Sequence, residues 1–182
     1  MSKRALVVVD LQNEYLPSGK LPLINIEAAA DNAAKVIADC RAKGDAVIHI
    51  RHEFANNEKP AFVPGSSGAE IQPAVAPKGD ERVIVKNYVN SFRETDLKRA
   101  LDDQAIEEVV VVGAMSHMCV DAVVRAAADL GYLVTVLHDA CATLDLEFNG
   151  VKVPAAQVHA TMMAAFEFGY AKVTSTQNYL SA

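Results

Sequence analysis

Cys119 closes the stretch Val109-Val-Val-Val112-Gly113-Ala114-Met115-Ser116-His117-Met118-Cys119. An apolar run ends in a glycine, a short turn follows, and the cysteine falls on the first turn of the next helical pattern. Cysteine is the best nucleophile among the common side chains, but with a pKa of about 8.5 it is mostly protonated at neutral pH. A helix N-terminus gathers backbone N–H groups and favours the thiolate. Catalysis would still need a base and a positive charge from elsewhere, and two residues stand in suitable places. Asp10 follows Ala5-Leu-Val-Val-Val9, and Lys86 follows Arg82-Val-Ile-Val85. Lys86 would favour the thiolate, and Asp10 could take the thiol proton and return it to a leaving amine. Amides of the Gly113 to Cys119 turn could hold the oxyanion of a tetrahedral intermediate, worth about 3 kcal/mol per donor. Each residue also has a plain reading: a small buried hydrophobe, a turn or cap residue, and a solvated strand-end charge.

These three residues meet only if their strands lie side by side and parallel. Strand-like apolar runs occur at 5–9, 46–50, 82–85, 107–112, 132–137 and 171–174. Helical spacing fills 26–43, 97–101, 119–130 and 154–168, with Gly44, Gly131 and Gly169 as stops. The alternation predicts one α/β domain over residues 1–182, three layers (α-β-α) with a six-stranded, mostly parallel sheet. In such sheets ligands bind beyond the carboxyl ends of the strands, at a switch in strand order. The irregular segment 51–80 is long for a loop inside a domain and is expected to be functional.

Composition narrows the function classes. The chain has 182 residues, 51% hydrophobic and 22% charged, with a formal net charge of −6 and no basic cluster, which argues against nucleic-acid binding. No apolar run is long enough for a membrane span or a signal peptide. Cys40, Cys119 and Cys141 are widely spaced and odd in number, fitting neither a disulfide framework nor a zinc pattern. A cytoplasmic protein with free thiols, acting on a small molecule, is the expectation.

Four segments together carry a family resemblance: Val-Val-Val-Asp10-Leu-Gln12-Asn13; Lys86-Asn-Tyr-Val-Asn-Ser91-Phe92-x-x-Thr95-Asp-Leu97; Val-Gly113-Ala-Met-Ser116-His-Met-Cys119-Val120; and Asp139-Ala140. From about Ala5 to Val173 the chain closely resembles the isochorismatase-like cysteine hydrolases, a superfamily with nicotinamidases, N-carbamoylsarcosine amidases, ureidoacrylate and biuret hydrolases and streptothricin hydrolase. The resemblance implies a triad of Asp10, Lys86 and Cys119, a cis peptide between Ala114 and Met115, and an oxyanion hole from the N–H groups of Met115 and Cys119. It also implies a Rossmann-like six-stranded parallel sheet and assembly into homodimers or homotetramers.

The chain departs from the nicotinamidases after its second strand. It reads His49-Ile-Arg51-His52-Glu53 and lacks their metal-binding Asp-x-His element. Two histidines three apart on an extended segment face opposite sides, so no metal and no cofactor are expected. Because Cys119 is present, attack on an amide, ureido or lactam carbonyl through a thioester is favoured. A vinyl-ether hydrolase with Asp10 as general acid, and a non-catalytic binding protein, are the alternatives. Substrate contacts are expected from Gln12, Tyr15, His52, Phe62, Tyr88, Phe92, Met118 and Phe148, with Phe54 beside them and Arg51 and Glu53 as charged neighbours. His159 reads as an internal hydrogen-bonding residue, His117 as a turn cap, and Cys40 and Cys141 as packing residues.

Overall fold

The computed structural model describes residues 3–54 and 60–182. Its centre is the run that follows Lys3, strand β1 (Arg4–Val9), whose last five residues are at most 1% exposed. Side chains alternate across a strand, so Ala5, Val7 and Val9 enter one apolar core while Leu6 and Val8 enter another. A strand buried on both faces needs helices on both faces. Helix α1 (Ile26–Lys43) covers the Leu6 side, presenting Ile26, Ala29, Ala33, Val36, Ile37 and Cys40.

The chain then adds β2 (Ala46–His52) and β3 (Arg82–Lys86) to one side of β1. After α2 (Leu97–Asp102) it returns to the other side with β4 (Glu108–Ala114). Helix α3 (Cys119–Asp129) follows, then β5 (Leu133–Ala142), a hairpin of β6 (Leu146–Phe148) and β7 (Val151–Val153), α4 (Ala155–Gly169), β8 (Lys172–Thr174) and α5 (Thr176–Leu180). The main sheet has the order β3-β2-β1-β4-β5-β8, and all its pairings are parallel. Helices α2, α3 and α4 pack on the Ala5 side, giving the expected three layers. No described helix is long and apolar enough to cross a membrane.

Strand order reverses between β1 and β4, so their carboxyl ends form the crevice where the topology favours a ligand. There Gly113 has φ 132°, and a Cβ on it would fall 2.0 Å from the Val9 carbonyl oxygen, so only glycine lets β4 close onto β1. Three features differ from the sequence reading. β5 does not stop at Leu137: its register with β4 shifts between Val111 and Gly113, and the strand resumes to pair Cys141 with Gly113 and Ala142 with Ala114. The β6–β7 hairpin and α5 were not expected.

Candidate active site

Three strand ends bring Asp10, Lys86 and Cys119 into one buried cluster. Asp10 continues the β1–β2 ladder by one bond, its N–H donating to the Ile50 carbonyl at 3.1 Å. Its φ is then 50°, a left-handed conformation that turns the chain out of the strand. Lys86 is the last residue of β3 and has no solvent exposure. Its ammonium lies 2.8 Å from Asp10 Oδ2 and donates to Cys119 Sγ at 3.1 Å. The carbonyls of Tyr88 and Val89 accept from it at 3.1 and 3.3 Å. His52 pairs with Lys86 in the sheet register, so both side chains leave the same face, and His52 Nδ1 lies 3.1 Å from the ammonium. An ammonium only donates, so a hydrogen bond between the two would need Nδ1 as the acceptor of a neutral imidazole.

The charges inside this cluster settle against each other. Burial alone would push the Lys86 ammonium down, but Asp10 and Cys119 outweigh it and hold its pKa above the ordinary value. Burial pushes the Cys119 thiol up, Asp10 adds to this, and Lys86 opposes it without prevailing. The sequence reading, which weighed only Lys86 and the helix N-terminus, favoured a thiolate; desolvation reverses that at rest. Burial and then Lys86 lower His52 to about 4, so it is neutral at pH 7. Asp10, His52 and Cys119 carry metal-ligand-type atoms within 4.8 Å of one another. Lys86 touches all three, so the cation this donor set holds is the ammonium. His49, on the other face of β2, bonds to Glu81 at 2.9 Å instead.

The turn before α3 has the expected cis bond between Ala114 and Met115. It is tied down by Ser116 N–H to the Ala142 carbonyl at 3.0 Å and Val120 N–H to the Met115 carbonyl at 3.2 Å. Ser116 Oγ also meets His159 Nδ1 at 2.9 Å, which gives His159 the internal role read from the sequence. His117 Nδ1 meets Thr143 Oγ1 at 2.7 Å. The N–H groups of Met115 and Cys119 have no acceptor among the described residues, so both are free to receive one.

A cavity of about 600 Å³ opens above Cys119 with mostly apolar walls. Tyr15, His52, Phe62, Tyr88 and Met118 line it, as does Phe54. Three of the residues read as substrate contacts do not. Gln12 is fully buried and its amide is spent on backbone: Nε2 donates to the His52 and Ala69 carbonyls at 2.9 and 2.7 Å, and Oε1 accepts from His52 N–H at 2.8 Å. It therefore fixes the end of β2. Phe92 turns inward and stacks on Tyr132, with centroids 6.4 Å apart. Phe148 is 77% exposed on the β6–β7 hairpin, away from the cavity. Arg51 and Glu53 pair with each other at 2.9 Å. Leu21 and Arg93 line the cavity without having been read from the sequence. Arg93 follows Phe92 directly, and its guanidinium covers the Tyr88 ring at 3.7 Å.

Comparison with known proteins agrees with this geometry. A family model described as the isochorismatase domain matches residues 4–177. A solved structure from Oleispira antarctica, assigned to the isochorismatase hydrolases, is 54% identical, with a TM-score of 0.96 over 100% of this chain and 97% of that one. YddQ of Bacillus subtilis (strain 168), an uncharacterised isochorismatase family protein, is 46% identical over 176 residues, 97% of this chain and 98% of its own. Streptothricin hydrolase of Streptomyces noursei is 34% identical over 143 residues, 79% of this chain and 51% of that protein. The chain belongs to the isochorismatase family of hydrolases.

Proposed function

We propose that the chain is a cysteine hydrolase that cleaves a C–N bond of a small amide, ureido compound or lactam through a thioester on Cys119. The observation that carries this reading is the fully buried Lys86 ammonium, in contact with both the Asp10 carboxylate and Cys119 Sγ beneath an apolar cavity. The resting thiol is neutral, so attack and deprotonation proceed together: the proton passes to Asp10 as sulfur bonds to the carbonyl carbon. Lys86 stabilises the sulfur while it carries charge. The Met115 and Cys119 amides receive the oxyanion.

Collapse of the tetrahedral intermediate breaks the C–N bond. A departing amine needs a proton, and Asp10 now holds one. Water, deprotonated by the same carboxylate, then releases the acid and restores the thiol. The relative named streptothricin hydrolase supports hydrolysis as the reaction class. The test is intact-mass analysis after incubation with a panel of small amides, ureas and lactams. An acyl adduct on Cys119, absent in Cys119→Ala, is expected; turnover that survives in Cys119→Ala overturns the reading.

A further inference from the structure

Glu14 is a carboxylate that the hydrolytic steps leave unused, and it is only 2% exposed. Buried carboxylates need partners. Lys20 N–H donates to Glu14 Oε1 at 2.9 Å, and Phe62 N–H donates to Oε2 at 3.0 Å. The Glu14 carbonyl accepts from Leu21 N–H at 3.0 Å, and the next residue is Tyr15. Tyr15, Leu21 and Phe62 all line the cavity, so one residue ties down three parts of its wall. Phe62 relies on it most. Its φ of 53° is left-handed, a conformation that persists in a bulky residue only where neighbours hold it. Phe62 also meets Tyr15 and His52 edge-on, with centroids 5.1 and 5.5 Å away. The carboxylate has no slack: a Cβ on Gly68 would fall 2.3 Å from Oε2.

We propose that Glu14 is a positioning residue that sets the shape of the apolar wall and thereby which acyl groups the cavity admits. This rests on the cavity over Cys119 being the substrate site. Both carboxylate oxygens face N–H donors, so a glutamine satisfies one and turns its own N–H₂ toward the other.

Two alkylating agents read this out without a known substrate. Iodoacetamide reports the thiol alone, whereas 2-iodo-N-phenylacetamide must also seat a ring against the wall. In each, sulfur displaces iodide, the C–S bond forming as the C–I bond breaks, and the thiol proton leaves to base. Wild-type Cys119 should react faster than Cys40 and Cys141, and with saturation for the phenyl reagent. Glu14→Gln should raise the half-saturating concentration of the phenyl reagent about tenfold, as expected for one lost charged hydrogen bond, with the iodoacetamide rate held within about twofold. Gly68→Ala, which displaces the carboxylate without removing it, should do the same. Unchanged saturation in a folded variant overturns the proposal, as does equal slowing of both reagents. Failure of both variants to fold also overturns it, because Glu14 would then serve the fold. If wild-type Cys119 is no more reactive than the other two thiols, the hydrolytic reading fails first, and the proposal falls with it.

Discussion

Glu81 and Asp10 each sit beside a cation, and they are satisfied to opposite degrees. Glu81 Oε1 accepts from Arg41 Nε at 2.6 Å; Oε2 accepts from Arg41 Nη2 at 2.8 Å and Lys78 N–H at 2.9 Å, with His49 Nε2 also 2.9 Å away. Arg41, with this set behind it, holds the carboxyl down to about 2. Asp10 is more deeply buried, yet neither of its oxygens accepts a hydrogen bond of normal geometry among the described residues. The Lys86 ammonium meets Oδ2 at 2.8 Å as an ion pair. Glu81 spends its oxygens on four donor contacts, none from a group that gives up its proton to it, whereas Asp10 keeps open acceptors beside a thiol. Burial and ion pairing are common to both clusters, so it is the open acceptors of Asp10 that suit it to the proton transfer proposed above.

That contrast is most easily broken at Asp10. Asp10→Asn should lower kcat about a thousandfold on any amide that acylates Cys119, because a carboxamide cannot take the thiol proton. Activity within about tenfold of wild type would put the base elsewhere. Lys86→Met should also remove turnover and, by leaving the Asp10 charge buried and unpaired, cost about 3–5 kcal/mol in urea unfolding. Arg41→Met at the other cluster should cost only about 1–3 kcal/mol, since His49 and the Lys78 amide still serve Glu81, and should leave kcat within about twofold. If Arg41→Met depressed turnover as deeply as Asp10→Asn, saturation would not be what separates the two carboxylates.

The contrast also shows what could be read from the chain alone. The sheet was legible because its central strands are largely apolar runs rich in β-branched residues, which suit a sheet covered on both faces. Asp10, Lys86 and Cys119 were legible because a strand end is a fixed point in a parallel sheet. Gln12 was misread because its neighbours in sequence do not reveal that the His52 backbone lies opposite it. Phe92 and Phe148 lie off the cavity because the direction of a side chain follows from backbone angles, not from residue type. The thiol's upward shift depends on how much water the cavity floor excludes, a quantity the chain does not spell out. The β6–β7 hairpin had a signal, Asn149-Gly150, whose φ values of 50° and 78° suit a two-residue hairpin turn. Glu14 had none, because a glutamate is ordinarily a surface residue.

A pH effect separates the two clusters as well. Above pH 6.5, His52 is neutral in both the folded and unfolded chain and contributes no pH dependence. Between 6.5 and about 4 the unfolded chain binds a proton that the folded one refuses, because burial and Lys86 hold the folded pKa at about 4. Stability should therefore fall on acidification through that window, by about 3 kcal/mol from His52 at its lower end. The Glu81 carboxylate acts later. Its stabilisation is complete above pH 4.5 and is lost as pH falls toward about 2. Urea unfolding at pH 7 and pH 4.5 should thus show a smaller acid loss in His52→Gln than in wild type. An equal acid loss in His52→Gln and wild type would mean that His52 is protonated in the folded chain, against the neutral acceptor that its contact with Lys86 requires.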